Sequence, residues 1–150
     1  MRWFAQRGHS VTGVDRSAEA IGAVVGLGRA IEADIENGPW PLEGETFDAV
    51  VVSNYLSRPL LPRILASVKP GGVLIYETFA VGNETVGKPS RPDFLLRAGE
   101  LLQAVTGLQV VAFEDGFRTD PDRFVQCVAA VRKRATPADQ PARFLLRAAE

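Results

Sequence analysis

The stretch Phe47-Asp48-Ala49-Val50-Val51-Val52 decides the fold. It is almost wholly apolar over the length of a strand and lacks the alternation of a half-wetted sheet, so it reads as a strand buried on both faces of a parallel sheet. Val73-Leu74-Ile75-Tyr76 repeats the pattern. Between the two lie a helix-like segment, Pro62 to Val68, and a tight turn, Lys69-Pro70-Gly71-Gly72. Working toward the N-terminus, Ala30 to Ala33 and Val11 to Val14 are short β-prone runs ending in Asp34 and Asp15. Ser17 caps a small-residue helix, Ala18 to Val25, and residues 2–7 read as a helix end closed by Gly8. Toward the C-terminus, residues 80–93 form a long loop, Phe94 to Val105 is helix-like, and Leu108 to Phe113 and Phe124 to Val131 are strands. The turn-rich Glu114 to Arg123 joins those two, which makes an antiparallel last pair. Alternating strands and helices give an α/β fold with a mostly parallel sheet.

Composition narrows the function. A chain of 150 residues, 46% hydrophobic and 23% charged, is an ordinary soluble single domain. Lys+Arg 17 against Asp+Glu 18 leaves a formal charge of −1, with no basic face for nucleic acid; Arg132-Lys133-Arg134 reads as a solvated strand end. One cysteine and one histidine exclude an internal disulfide and a Cys/His zinc site, so no metal is expected. No apolar run suits a membrane span, and Met1 to Arg7 lacks a signal-peptide stretch, so the expectation is a cytoplasmic protein without a membrane partner. The organisation expected is a domain over 1–134, then a linker and short tail over 135–150. Phe94-Leu95-Leu96-Arg97-Ala98-Gly99-Glu100 recurs as Phe144-Leu145-Leu146-Arg147-Ala148-Ala149-Glu150, too short for a solenoid unit and read as chance.

In open α/β sheets ligands bind beyond the carboxyl ends of the strands. Asp15 and Asp34 end the first two strands, Ser53-Asn54-Tyr55 the third and Glu77-Thr78 the fourth. A carboxylate at a strand end accepts both hydroxyl protons of a ribose in charge-assisted bonds; alternatively Asp15 caps the following helix with Ser17. Tyr55 either lines an acceptor pocket or packs. His9 reads as a surface turn residue, Cys127 as an inert buried thiol, and Lys88 and Arg91 as solvated loop charges. The loop at 80–93 is long enough to serve as a lid over the acceptor.

Val11-Thr12-Gly13-Val14-Asp15-Arg16-Ser17, Glu32-Ala33-Asp34-Ile35, Phe47 to Tyr55 and Lys69 to Glu77 occur in order. Together they resemble class I S-adenosylmethionine-dependent methyltransferases, close to the small bacterial tellurite-resistance and type 11-12 kind. The resemblance implies a Rossmann-like sheet of seven strands, the last antiparallel, with helices on both faces and S-adenosylmethionine as cofactor. It places Asp15 at the ribose hydroxyls with Arg16 beside the adenosine, and Asp34 and Ile35 at the adenine. Ser53, Asn54 and Tyr55 fall near the methyl donor and a small-molecule acceptor, and Glu77 is added at the acceptor from its strand-end position. No catalytic residue is assigned.

The family's first strand and Gly-rich loop should precede the helix that ends at Arg7, and they are missing here. The expectation is an N-terminally truncated methyltransferase, through a misplaced start or gene decay. Its sheet would be split between the Asp15 strand and the Phe47 strand, and its exposed edges would favour self-association. Two other readings stand beside it: a non-catalytic remnant that pairs with another chain, and a NAD-binding Rossmann protein, since an acid ending the second strand also suits NAD.

Overall fold

The computed structural model describes residues 1–135. The expected linker and tail lie outside the described residues from 136 onward, as does the second copy of the heptad repeat. The chain divides into two compact units, Met1–Glu43 and the part from Gly44 onward.

In the first unit, α1 (Arg2–Ala5) precedes β1 (Thr12–Asp15), α2 (Ala18–Gly22) and β2 (Arg29–Glu32). β1 and β2 run parallel, with Asp15 opposite Glu32. Ser17 caps α2 as its sequence promised, its side-chain oxygen accepting from the Ala20 N–H. No residue from Met1 to Glu43 is buried. Two strands without a core are marginal by themselves in water.

The second unit holds β3 (Phe47–Ser53), α3 (Leu61–Ala66), β4 (Val68–Phe79), α4 (Glu100–Ala104), β5 (Gln109–Arg118) and β6 (Arg123–Val131). Its sheet has the order β3-β4-β6-β5. β3 and β4 are parallel, and β6 is antiparallel to both β4 and β5. The last strand is antiparallel, as the sequence led us to expect. The sheet as a whole is not mostly parallel, because the β5–β6 hairpin folds β6 back between β4 and β5, and both contacts of that strand run antiparallel. Of the seven strands the resemblance implies, six are present among the described residues, in two separate sheets.

The core lies on one face of the four-stranded sheet. Leu74, Tyr76 and Thr78 from β4 and Val128 and Ala130 from β6 are buried, with Leu60, Ile64, Leu96, Leu101 and Val105 from the helices and loops. Alternate residues point the other way. Val51 is 48% and Ile75 38% exposed, so within this unit neither apolar run is buried on both faces. The pattern reports the character of the strand and not how many neighbours cover it.

The turn Lys69 to Gly72 sits inside β4 rather than before it. Phe47 pairs with Val68 but Ala49 already pairs with Val73, so these residues bulge out of register. A Cβ on Gly72 would lie 2.9 Å from the Phe47 carbonyl oxygen, which is why a glycine stands there. β5 likewise runs on to Arg118, past the stretch that looks turn-rich. Arg132 is no solvated strand end: it donates to the carbonyls of Val68 (2.7 Å) and Leu65 (2.8 Å), satisfying a carbonyl of the last turn of α3.

Candidate functional site

Asp15, Arg16, Asp34 and Ile35 come together at the carboxyl end of the β1–β2 pair. The Ala33 N–H donates to the Asp15 backbone carbonyl (2.9 Å), which holds the two strand ends side by side. One carboxylate oxygen of Asp15 accepts from the Ser17 N–H at 2.8 Å. The side chain is exposed, so the helix-capping and ligand-holding readings of Asp15 are compatible: capping uses one oxygen. Asp34 is more committed. Its Oδ1 accepts from the N–H groups of Glu36 and Asn37, and its Oδ2 from the Asn37 side-chain amide. The Asn37 amide first, then those backbone N–H groups, hold its carboxyl below the ordinary range, with Arg16 adding a smaller pull. About one lone pair of Asp34 remains for an outside donor. Ile35 is half-buried beside it.

In the second unit, Ser53, Asn54, Tyr55 and Glu77 gather at the carboxyl ends of β3 and β4. Ser53 is the register partner of Glu77. Asn54 has φ 54°, a left-handed conformation that asparagine tolerates better than most residues. There its N–H donates to the Glu77 backbone carbonyl at 2.9 Å. The Tyr76 hydroxyl donates to the Tyr55 carbonyl at 2.9 Å and pins the start of the following loop. Burial raises the pKa of this phenol, so it stays a neutral donor. The Glu77 carboxylate is not free: Arg118 donates to it at 2.7 Å and to Glu114 at 2.5 Å. Cys127 pairs with Glu77 on one side and Glu114 on the other. Burial first, and the Glu77 charge next, push its thiol up, in keeping with an inert cysteine.

The long loop after β4 is held in place. Asn83 is buried; its side-chain amide donates to the Pro89 carbonyl (3.0 Å), and its oxygen accepts from the Phe124 N–H (3.2 Å). Beyond it the chain returns beside β4, with Ala80 bridged to Leu96. A half-open cavity of about 330 Å³ lies there, walled by Ala80, Val81, Leu96 and Ala98, with Arg97, Asp115 and Gln126 as polar members. Its wall is braced by Arg58, which donates to both oxygens of Glu100 (2.6 and 3.0 Å) and to the carbonyls of Asp93 and Leu95.

Arg58, Asn83, Gln126 and Arg118 are structural partners of the site that sequence reading missed. Gln126 was detectable as an amide within the apolar run Phe124 to Val131. Arg118 was hidden by the turn-like composition around it.

Arg58 holds the Glu100 carboxyl below its usual value. A carboxylate whose pKa is depressed by folding contributes stability above its unfolded pKa and loses it as pH falls through the lower folded value. The second unit is therefore expected to weaken below about pH 4.5, the ordinary carboxylate range, and Glu100→Gln to flatten that part of the profile. Urea midpoints between pH 7 and pH 3 check this; equal slopes for variant and parent would contradict it.

Comparison with known families decides the assignment. Residues 1–76 match the family described as Methyltransferase domain. The chain belongs to this family. Among solved structures, TehB from Haemophilus influenzae superposes with a TM-score of 0.68 at 14% identity, over 87% of this chain and 52% of TehB. The chain thus spans about half the length of that relative. A SAM-dependent methyltransferase from Methanosarcina mazei gives a TM-score of 0.62 at 18% identity, over 89% of this chain and 87% of the other. The N-methyltransferase NodS from Bradyrhizobium japonicum, in complex with S-adenosyl-L-homocysteine, gives 0.55 at 19% identity, over 81% and 66%. These likenesses show a Rossmann-like methyltransferase fold. No curated protein sequence matched the chain. No helix among the described residues is long and apolar enough to cross a membrane.

Proposed function

We propose that this methyltransferase-family domain, residues 1–134, transfers a methyl group from S-adenosylmethionine to a small molecule in the cytoplasm. The observation that carries the reading is the exposed Asp15 carboxylate at the end of β1, which keeps one oxygen outside its own turn. The residues fit the cofactor's chemistry. Asp15 would accept the ribose hydroxyls, with Arg16 beside the adenosine. Asp34 would offer its remaining lone pair to the adenine amine, and Ile35 an apolar contact to the ring. Ser53 and Asn54 supply hydroxyl and amide groups at the end of β3, where the left-handed Asn54 turns the chain away from the sheet.

The bound cofactor supplies a sulfonium-activated methyl group for in-line displacement at carbon. The chain's own residues bind and orient, which accounts for about 7–11 kcal/mol of barrier in favourable cases. Glu77, held by Arg118, is a fixed negative charge at the end of β4 and not a mobile base; its side chain shares the face of Cys127 and Glu114, opposite to the Gln126 and Asp115 face that lines the cavity, and Tyr55 lies on the loop after β3. The cavity beside Ala80 and Leu96 suits an acceptor of small-molecule size. The loop at 80–93, anchored by Asn83, serves as its lid.

Calorimetric titration of S-adenosylhomocysteine tests the reading. Micromolar binding is expected, weakened about tenfold by Asp15→Asn, which keeps an oxygen for the Ser17 N–H but removes the charge from the ribose contact. No binding by the parent chain, or an unchanged affinity in the variant, would refute it.

A further inference from the structure

Of the carboxylates around the end of β4, Asp115 is the one that faces the cavity. Glu77 lies on the side of Cys127 and Glu114 and is held by Arg118 at 2.7 Å. Asp115, on β5, is the register partner of Gln126, which pairs in turn with Thr78, so it shares the opposite face and lines the cavity. Ala80 follows β4 directly, so the cavity lies at the same end of the sheet as Ser53 and Asn54.

The donors of the cavity walls are largely in use. The N–H groups of Ala80, Val81 and Leu96 donate to the carbonyls of Phe124, Leu96 and Phe79, each at 2.9 Å. The Arg97 N–H donates to Glu100 (2.8 Å), and its carbonyl accepts from Gln126 (2.7 Å). The Arg97 side chain is 81% exposed, its guanidinium 3.8 Å from Glu100. Asp115 differs. Its Oδ2 accepts from the Gly99 N–H at 3.1 Å, which fixes the carboxylate in place, and its Oδ1 has no partner among the described residues. A carboxylate oxygen only accepts, so the group that completes it is a donor, and a cationic donor makes the stronger bond. The walls of Ala80, Val81 and Leu96 suit an apolar body.

We propose that the acceptor is a small molecule with an apolar body and an amine, whose ammonium donates to Oδ1 of Asp115. This class of acceptor rests on the cavity being the acceptor site of the methyltransferase reading. Asp115 holds and orients the molecule and takes no part in bond making.

Titration of the isotope-labelled full chain, without cofactor and at neutral pH, tests this through the amide resonances of Val81, Ala98 and Gly99. The probes are phenethylamine and its neutral and anionic counterparts, phenethyl alcohol and phenylpropionate. Saturable shifts are expected with phenethylamine, with the alcohol binding about fivefold more weakly and phenylpropionate weakest. Asp115→Asn keeps an oxygen for the Gly99 N–H but removes the charge, so it should erase the advantage of the amine and leave the alcohol unchanged. Equal affinities of the three probes in the parent, marking an apolar hollow only, overturn the proposal, as does the absence of any saturable shift with phenethylamine. A preference for phenylpropionate assigns the cavity to Arg97 and overturns it too, as does an amine preference that survives Asp115→Asn. If the variant does not fold, added salt on the parent decides: an amine advantage that salt leaves undiminished refutes the ion pair. Loss of the amine preference beside successful S-adenosylhomocysteine binding refutes the amine alone. An intact preference without cofactor binding supports the amine site and removes the methyltransferase reading.

Discussion

Replacing Gln126 by leucine is expected to cost about 3 kcal/mol and to lower the melting temperature of the second unit by roughly 10–20 °C. Gln126 is fully buried on β6. Its Oε1 accepts from the Leu101 N–H at 3.0 Å, and its Nε2 donates to the Arg97 carbonyl at 2.7 Å. Leu101 is the second residue of α4, so its N–H is among the donors that no intrahelical carbonyl can reach. The glutamine thus caps a helix from across the core. Leucine has a similar bulk but leaves that N–H buried and unpaired, at about 1–3 kcal/mol, besides forfeiting the bond to Arg97. Gln126→Glu should do no better at neutral pH, because it sets a buried charge against the Arg97 carbonyl. Urea unfolding with an unchanged m-value is the measurement; a midpoint within error of the parent would show that the amide is dispensable.

Arg58→Ala is expected to cost about 2 kcal/mol, less than a fully buried ion pair because the guanidinium is 33% exposed. Its fork holds both Glu100 oxygens and two loop carbonyls, so the loss falls on the segment from Asp93 to Glu100 that walls the cavity. Glu100 keeps the Arg97 N–H at 2.8 Å and the Arg97 guanidinium at 3.8 Å, which limits the damage. A double-mutant cycle with Glu100→Gln should return a coupling of about 1–2 kcal/mol. Additive losses would mean that Arg58 acts through the loop carbonyls alone.

The fold was legible where a single strand or cap sufficed to specify it. Phe47 to Val52, Val73 to Tyr76 and the Ser17 cap all lie where periodicity and propensity place them. Long-range pairing was harder to read. Glu114 to Arg118 looks like a turn because Glu, Asp and Gly disfavour strands, yet β6 pairs with it along its whole length and tertiary hydrogen bonding outweighs propensity. The burial of β3 and β4 was overread, since an apolar strand does not say which of its faces the rest of the unit covers. At the site, strand-end position brought out Asp15, Asp34, Asn54 and Glu77. It could not show that the Asp34 carboxylate is largely consumed by its own turn, nor that Glu77 is tied to Arg118. Those partners stand 41 residues apart for Glu77 and Arg118, and nothing local in the sequence announces them.

Among the described residues β6 is the last strand, and it is the inner partner of both β4 and β5. A ribosome making this protein therefore delivers β3 and β4 well before the β5–β6 hairpin, whose second strand joins β4 to β5. Until Arg123 to Val131 clears the exit tunnel, β4 and β5 have no shared neighbour, and Tyr76 and Leu74 lack their register partners Val128 and Ala130. Folding of the second unit is thus a late event that waits for nearly all of its residues, and the nascent chain spends that interval with an apolar strand open to chaperones or to other nascent copies.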